Sequence, residues 1–379
     1  MKRIYLDNAA TSFPKAPGLG NAVAAFIDGS SVNLNRTESN ESLTVFNTIY
    51  GLRENLCSLY NYNHPECIAF SRNATESMNW IIKGLLKKED HVIVSSNEHN
   101  AVMRPLVQSK IAFDRIPSDL HGFSDYCKLP GLIRPNTRAM FINAAGNVSG
   151  AVQDLTIPAE IARKHGIMVF VDAAQASPFV DIDMSDLGLS GIVFTGHKSL
   201  LGPQGIGGMV LEKELALSIE PLISGGTGSE SDKETVPSSL PDRLAAGTEN
   251  LPGQIGLAHS IEYVIKNKKN LYENVTRCLE ELYIAMEGIK GLEIKGPTLK
   301  ERRTSVISVV SDKKDISEIS YLLLERGGIE TRVGLHCSPS AHKSLGTFPT
   351  GTLRFSPGPF TTMEDVAVTL SILKEIMND

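Results

Sequence analysis

Between about residues 65 and 210, short apolar segments alternate with helical patterns, and this alternation constrains the fold more than any other feature of the chain. The apolar segments are CIAFS, HVIVSS, AMFINA, IMVFVDA and GIVFTG. They show little polar alternation, as in the strands of a parallel sheet that is covered on both faces. The segment ATESMNWIIKGLLKK places Met78, Ile81 and Leu85 on one helical face. We therefore predict an α/β domain with ligands at the carboxyl ends of its strands.

The chain has 379 residues, which is too long for one simple core, so we expect two domains. A segment rich in Gly, Ser and Pro, SGGTGSESDKETVPSSLPDRLAAGTENLPG, begins near residue 223 and is typical of a long functional loop. A long helical pattern follows it, and then shorter strands and helices. We predict a large α/β domain over residues 15–255 and a small α+β domain formed by residues 1–14 together with 256–379.

Charge and cysteine content exclude several classes of function. The net charge of −6 argues against nucleic acid or an anionic membrane as the main partner, and no apolar segment reaches transmembrane length. The five cysteines are odd in number and never spaced as C-x-x-C, which argues against a disulfide framework or a structural zinc site. We expect a cytoplasmic protein without a metal site.

Asp172 and Lys198 each follow a predicted strand directly. Taken alone, Asp172 is as consistent with a helix N-cap, and Lys198 is more often a solvated charge. Together, an acid and a lysine at the carboxyl ends of two core strands are what pyridoxal phosphate requires. The lysine forms a Schiff base with the aldehyde, and the carboxylate keeps the pyridine nitrogen protonated.

A phosphate group needs its own binding loop, and FSRNATESMNW supplies a strand, a short polar loop and a helix N-terminus. Backbone N–H groups around Ala74, Thr75 and Glu76 would face an anion there, although a simple capped helix explains the same pattern. Thr195 and His197 would add side-chain donors. The segment GPQGIGG lacks the G-x-G-x-x-G spacing of a dinucleotide-binding loop.

Eight segments occur in the order seen in enzymes with the class V aminotransferase fold: YLDNAAT, EHNAV, GNVSG, VDAAQ, TGHKSLLGPQGIG, AGTEN, RVGLHC and LRFSPGPFTTMED. The chain resembles that family over nearly its whole length, and most of all the cysteine desulfurase and selenocysteine lyase branch. The resemblance implies a transferase of fold type I, similar to aspartate aminotransferase, with a mostly parallel central sheet and a smaller α+β domain. It also implies pyridoxal 5′-phosphate as the cofactor.

The resemblance implies a role for each residue that matches a family motif. Lys198 is similar to the Schiff-base lysine, and Asp172 to the partner of the pyridinium. Gln175 resembles the residue that binds the phenolic oxygen of the cofactor. His99 resembles the histidine that stacks on the ring and assists proton transfer, although a lone histidine after a strand is more often a surface residue. Asn147 corresponds to an asparagine near the ring and the substrate, and is otherwise a turn residue.

Other matches concern the phosphate and the oligomeric state. Thr75, Thr195 and His197 resemble phosphate ligands, with Ala74 beside them at the helix start. Thr248 resembles a threonine that reaches the phosphate of the neighbouring subunit. The resemblance therefore implies a homodimer with active sites at the interface.

The segment TRVGLHCSPSAH contains the predicted substrate end of the site. Cys337 matches the nucleophilic cysteine that accepts sulfur, whereas a free cysteine is more often a buried small hydrophobe. Its neighbours His336 and Arg332 would favour a thiolate if they lie close to it. Arg354 resembles the arginine that binds the substrate α-carboxylate, and Arg332 resembles a second substrate arginine.

These matches imply a cysteine desulfurase that converts L-cysteine to L-alanine, holds the sulfur on Cys337 as a persulfide and passes it to an acceptor protein. A selenocysteine lyase acting on L-selenocysteine, or another class V aminotransferase or β-lyase, remains an alternative. A non-catalytic ligand-binding protein is the least favoured interpretation, because it would not need Lys198, Asp172, Gln175, His99 and Cys337 together. The segment FSRNATES has one hydroxyl fewer than the usual phosphate loop, so we expect more backbone contacts there.

Overall fold

The computed structural model describes residues 2–34 and 39–379. The helices are α1 (Leu19–Gly29), α2 (Asn40–Leu59), α3 (Ala74–Leu85), α4 (Asn100–Gln108), α5 (Thr156–His165), α6 (Met184–Leu187), α7 (Lys213–Ser218), α8 (Leu251–Glu287), α9 (Ile316–Gly327), α10 (Pro339–Ser344) and α11 (Met363–Asn378). The strands are β1 (Ile4–Tyr5), β2 (Ile68–Ser71), β3 (His91–Ser95), β4 (Ala112–Ile116), β5 (Thr137–Asn143), β6 (Met168–Asp172), β7 (Gly191–Thr195), β8 (Gly207–Leu211), β9 (Leu292–Lys295), β10 (Ile307–Ser311), β11 (Ile329–Glu330), β12 (Arg332–Gly334) and β13 (Thr352–Phe355).

Seven strands form the large sheet in the order β2-β8-β7-β6-β5-β3-β4. The strands from β7 to β4 are parallel, whereas β8 is antiparallel to both of its neighbours. The predicted mostly parallel sheet is therefore confirmed. The sequence pattern does not predict β8, because it begins with Gly207 and Gly208, and glycine is rare in strands. A Cβ at Gly208 would lie 2.6 Å from the Phe194 ring, so the close approach to β7 requires glycine.

Apolar layers cover both faces of this sheet, as its nearly continuous apolar strands require. On one face, α3 and α4 bury residues such as Ile81 and Leu106. On the other face, α2, α5 and α8 contribute residues such as Leu56, Ala162 and Leu257. With both faces covered, the carboxyl ends of the parallel strands form the open edge at which polar side chains gather.

The C-terminal part contains a four-stranded antiparallel sheet in the order β12-β13-β10-β9. The N-terminal residues join it, because β1 pairs with β11 and Asp7 bridges to Ser356. The predicted domain boundary after residue 255 falls inside α8. This helix packs on the large sheet through Leu257 and on the C-terminal core through Leu282, so the division at that residue stays a prediction.

The Gly-rich segment after α7 contains one short 3-10 turn, Asp242–Leu244, as its only regular structure before α8. All five cysteines are free. Across residues 2–34 and 39–379, no helix is both long enough and apolar enough to cross a membrane. Within the same residues, no cluster of three or more His, Cys, Asp or Glu side chains is arranged to hold a metal ion.

Candidate active site

A pocket of about 210 Å³ lies at the carboxyl ends of β5, β6 and β7. Asn143, Asp172 and Thr195 end these three strands, and Lys198 follows in the turn after β7. All predicted site residues except Thr248 line this pocket: Ala74, Thr75, His99, Asn147, Asp172, Gln175, Thr195, His197, Lys198, Arg332, Cys337 and Arg354. The exposed Thr248 lies elsewhere, on the wall of a cleft of about 310 Å³ that also contains Phe46 and Tyr50.

Asp172 and Lys198 form the charged centre of the pocket. The Ala174 N–H donates to Asp172 Oδ1 over 2.9 Å, and burial raises the pKa of this carboxyl. A buried carboxylate needs a cationic partner, because desolvation disfavours its charge. Burial lowers the pKa of Lys198 to about 8, opposed by Asp172 and reinforced by Arg354 and Arg332. Roughly a tenth of the lysine amine is therefore unprotonated and nucleophilic at pH 7, far more than for an ordinary lysine.

His99 is the N-cap of α4, and its Nδ1 accepts the Ala101 N–H over 3.0 Å. The proton of the neutral ring therefore lies on Nε2. Burial, with a smaller contribution from the charge of Lys198, lowers the pKa of His99 to about 4, so the ring is neutral. Gln175 Nε2 donates to Ala9 O over 2.9 Å, which leaves its second N–H for another acceptor.

Glu98, the residue before His99, is completely buried among the residues that the structure describes. Ser95 Oγ donates to Glu98 Oε1 over 2.7 Å, while Oε2 has no partner within the described chain. Burial, with a smaller contribution from the nearby Asp172, raises the pKa of Glu98 to about 8. The Glu98 side chain is therefore a neutral acid near Asp172 at neutral pH.

The N-terminus of α3 lies at one end of the pocket, where Ala74 and Thr75 line the wall. The Asn73 side chain caps this helix by accepting the Glu76 N–H over 3.0 Å. A local cap thus already satisfies the Glu76 N–H, and Glu76 is absent from the pocket wall, so its predicted contact with an anion gains no support. Unsatisfied N–H groups of a first helical turn favour an anion, so Ala74 and Thr75 remain candidates.

Two further groups at this end have no partner within the described chain. Thr195 Oγ1 and His197 Nδ1 are buried and make no hydrogen bond. Burial, with the charges of Lys198 and Lys15, lowers the pKa of His197 to about 4. Buried polar atoms without partners are uncommon in native proteins, and here they line a pocket at a helix N-terminus. This arrangement fits an anionic group that accepts their hydrogen bonds.

At the opposite end, Arg354 is almost completely buried. Its Nη2 donates to Asp7 Oδ1 over 2.7 Å and its Nη1 to Asn147 O over 3.0 Å, while its Nε has no partner within the described chain. Arg332 lies directly opposite Arg354 in the pairing of β12 with β13 and is half-buried. Two neighbouring guanidinium groups at a pocket wall suit a carboxylate ligand.

Cys337 has an exposed side chain at the wall of the pocket, and its carbonyl accepts the Asn100 N–H over 2.9 Å. His336 is buried, and burial together with the charge of Arg354 lowers its pKa to about 2. The neutral His336 ring therefore supplies no positive charge to the thiol, and its predicted support of a thiolate stays a prediction. Of the two predicted neighbours, only Arg332 brings a cation to this wall.

The structure also assigns contacts that the sequence motifs do not predict. The Asn147 amide is bound to the segment around Cys337, through His336 O and Ser338 Oγ. Asp7, which is the partner of Arg354, lies in the YLDNAAT motif, but nothing in the motif indicates that pairing.

The model of the class-V aminotransferase family matches residues 4–368. The cysteine desulfurase CsdA of Escherichia coli strain K12 is 30% identical, with 96% of this chain and 91% of the relative aligned. The cysteine desulfurase IscS of Dictyoglomus turgidum is also 30% identical, with 100% of this chain and 95% of the relative aligned. These relatives belong to the branch that the sequence motifs predicted.

Solved structures show the same fold. An apo cysteine desulfurase from Thermococcus onnurineus superposes with a TM-score of 0.90 at 24% identity, over 99% of this chain and 95% of the other. Crystalline CsdA from Escherichia coli superposes with a TM-score of 0.87 at 28% identity, over 99% and 94% of the two chains. The predicted fold is confirmed, and the family match along nearly the whole chain establishes that this protein belongs to the class-V aminotransferase family.

Proposed function

We propose that this protein is a pyridoxal-phosphate-dependent cysteine desulfurase that converts L-cysteine to L-alanine and takes the sulfur onto Cys337. The observation that carries the proposal is one pocket in which a nucleophilic lysine, a buried carboxyl and an exposed cysteine meet. The relatives named cysteine desulfurase support the same reaction.

The residues present fit the cofactor at both of its ends. Asp172 would pair with a protonated pyridine nitrogen, whose positive charge would offset the desolvation of the buried carboxyl. Thr195 Oγ1, His197 Nδ1 and the first N–H groups of α3 would hold the phosphate. The Lys198 amine would hold the aldehyde carbon. When bound, the cofactor supplies an electron sink for bond breaking at the α- and β-carbons of the substrate.

Other roles of the pocket residues are to bind and orient the substrate and to move its proton. Arg354 and Arg332 would bind the α-carboxylate and thereby orient the substrate. Lys198 would move the proton at Cα, since its pKa of about 8 suits a base near neutral pH. His99, neutral and carrying its proton on Nε2, would lie against the ring and assist that transfer.

The Cys337 thiolate would then attack the substrate sulfur. An S–S bond forms while the Cβ–S bond breaks, and the electron pair of the broken bond stays on Cβ, which takes up a proton. L-cysteine and one thiol therefore become L-alanine and one persulfide, with no external oxidant. The persulfide sulfur would pass to a thiol of an acceptor protein.

A homodimer would complete the site. Leu43, Phe46 and Tyr50 form an exposed apolar stripe along α2, and the last two rings stack with centroids 6.2 Å apart. A contiguous exposed apolar surface is typical of a protein interface. The cleft beside this stripe carries Thr248. A second copy docked at the stripe would therefore bring the Thr248 of the first copy towards the pocket of the second.

The test is an absorbance spectrum of the purified protein before and after L-cysteine, with alanine and sulfide assayed in the same cuvette. We expect a visible cofactor band that shifts as alanine forms. A band that persists without alanine would refute the cysteine reaction, and L-selenocysteine and keto acids would then be tested in turn. If added pyridoxal phosphate produces no band at all, the role of Lys198 is wrong.

A further inference from the structure

The backbone that carries Cys337 adopts an unusual conformation. His336 has φ of 46° and Cys337 has φ of 60°, so two consecutive residues with side chains lie in the left-handed region. No other pair of adjacent non-glycine residues does so in the described chain. The conformation brings Cβ close to the following carbonyl and persists only where the surroundings enforce it.

Hydrogen bonds on both sides of Cys337 enforce this turn. Asn147 Nδ2 donates to the carbonyl of His336 over 2.6 Å, and Ser338 Oγ donates to Asn147 Oδ1 over 2.7 Å. One amide therefore binds the residue before the cysteine and the residue after it. Two backbone hydrogen bonds complete the set: the Asn100 N–H donates to the carbonyl of Cys337, and the Ser338 N–H donates to the carbonyl of Leu335 across the turn.

The residues that hold the turn are buried, whereas the cysteine side chain that they position is exposed. Ser338 is completely buried, and Asn147 and His336 are each 5% exposed, whereas the Cys337 side chain is exposed at the pocket. A buried hydrogen bond between side chains is costly to break, because each freed group stays unsatisfied. The backbone is thus held from the protein interior while the thiol stays accessible.

Ser338 occupies a helix N-cap position, but its side chain does not cap the helix. It is the N-cap of α10, where a serine hydroxyl normally accepts a backbone N–H of the first helical turn. In this protein its side chain makes no capping hydrogen bond and binds Asn147 instead. The hydroxyl therefore serves the cysteine turn rather than the helix.

We propose that Ser338 and Asn147 are positioning residues that fix Cys337 for attack on the substrate sulfur. Asn147 also links this clamp to the carboxylate end of the pocket, because its own carbonyl accepts a hydrogen bond from Arg354. The substrate anchor and the nucleophile are thus held through one residue. This inference rests on the proposed desulfurase function.

The test compares Ser338→Ala with Ser340→Ala, the same change at the second residue of α10. For Ser338→Ala we expect kcat for alanine formation from L-cysteine to fall about 10-fold, with KM changed less than about 2-fold, because a displaced nucleophile slows the chemical step. We expect hydrogen exchange within residues 335–340 of the protein without substrate to accelerate about 10-fold. Ser340→Ala should leave both quantities near wild type.

Asn147→Asp is the second variant, in case Ser338→Ala fails to fold. It keeps the shape and the acceptor for Ser338 but loses the N–H that binds His336, so the same acceleration of exchange is expected. The clamp is refuted if kcat and local exchange of Ser338→Ala match those of Ser340→Ala. It is also refuted if both clamp variants lose Tm and cofactor absorbance together with activity, since that pattern shows a general structural role.

The two readouts keep this inference distinct from the proposed function. If the wild-type protein forms no alanine from L-cysteine, the desulfurase function fails, whereas the exchange comparison still decides whether the clamp exists. If the wild type is active and the exchange of Ser338→Ala is unchanged, the clamp alone fails.

Discussion

The pocket has a sheet side, which carries Asp172 and Lys198, and a cysteine side, which carries Cys337. The two sides are held in place by different means. Asp172 and Lys198 occupy the end of one sheet strand and the turn after the next, so their separation follows from backbone pairing in the sheet. Cys337 sits on a short left-handed turn held by the side chains of Asn147 and Ser338. The sheet side therefore tolerates loss of a neighbouring side chain, whereas the cysteine side depends on individual hydrogen bonds. Four predictions test this difference.

The largest effect is expected on the sheet side, from Lys198→Ala. This change removes both the attachment point and the base, so turnover should fall by ~10⁴-fold or more, the upper range for a proton-transferring group. Because the backbone holds the pocket, the fold should survive with an unchanged circular dichroism spectrum. Turnover within about 10-fold of wild type would refute the role of Lys198.

On the cysteine side, Cys337→Ala should lower desulfuration of L-cysteine by ~10³-fold while the cofactor absorbance stays unchanged. Cys127→Ala is the matched control, since Cys127 is the other exposed cysteine and lies away from the pocket. Alanine formation from L-cysteine and from L-selenocysteine should be measured for each variant. Undiminished desulfuration in Cys337→Ala would contradict the persulfide role.

A smaller effect is expected from replacing either arginine of the pocket, and the two replacements should differ in their effect on Tm. Arg332→Ala should raise KM roughly 10-fold, the usual cost of a lost charged hydrogen bond, with Tm changed by less than about 2 °C. Arg354→Ala should raise KM and also lower Tm clearly, because it leaves Asp7 without its partner. Arg302→Ala, an exposed change on another cleft, serves as the control. An unaltered KM in Arg332→Ala would remove that residue from the substrate site.

The smallest effect on turnover is expected from Glu98→Gln, which changes a buried acid near Asp172. The pKa of Glu98 is raised to about 8 in the folded protein from an ordinary value of 4.5, so its contribution to stability is present below pH 4.5 and is lost as pH rises towards 8. Glutamine does not titrate, so the unfolding free energy of the variant relative to wild type should increase over that range. Chemical denaturation at pH 5, 6, 7 and 8 measures it, and a pH-independent difference would mean that Glu98 is ionised.

Much of the fold and of the sheet side could be predicted locally. Apolar runs that end in Asp172 or lead into Lys198 specify buried strands with polar ends, and the parallel sheet brings such ends to one edge. The glycine-rich β8 was not predicted, because its glycines are required by close packing against neighbouring residues and not favoured by strand propensity. The pattern also did not show that Asn73 caps the Glu76 N–H, which reduces the N–H groups available for an anion.

The sequence alone determined the residue types of the site and, through the family motifs, the chemistry that they suggest. Only the tertiary structure decided that His336 is neutral, that Arg354 pairs with Asp7, and that Asn147 and Ser338 clamp the cysteine turn. The physical reason is how far apart the interacting residues lie along the chain. Strand and helix patterns reflect neighbours along the chain, whereas burial and hydrogen bonds across nearly two hundred residues, such as Asn147 to His336 at a separation of 189, exist only after the chain has folded.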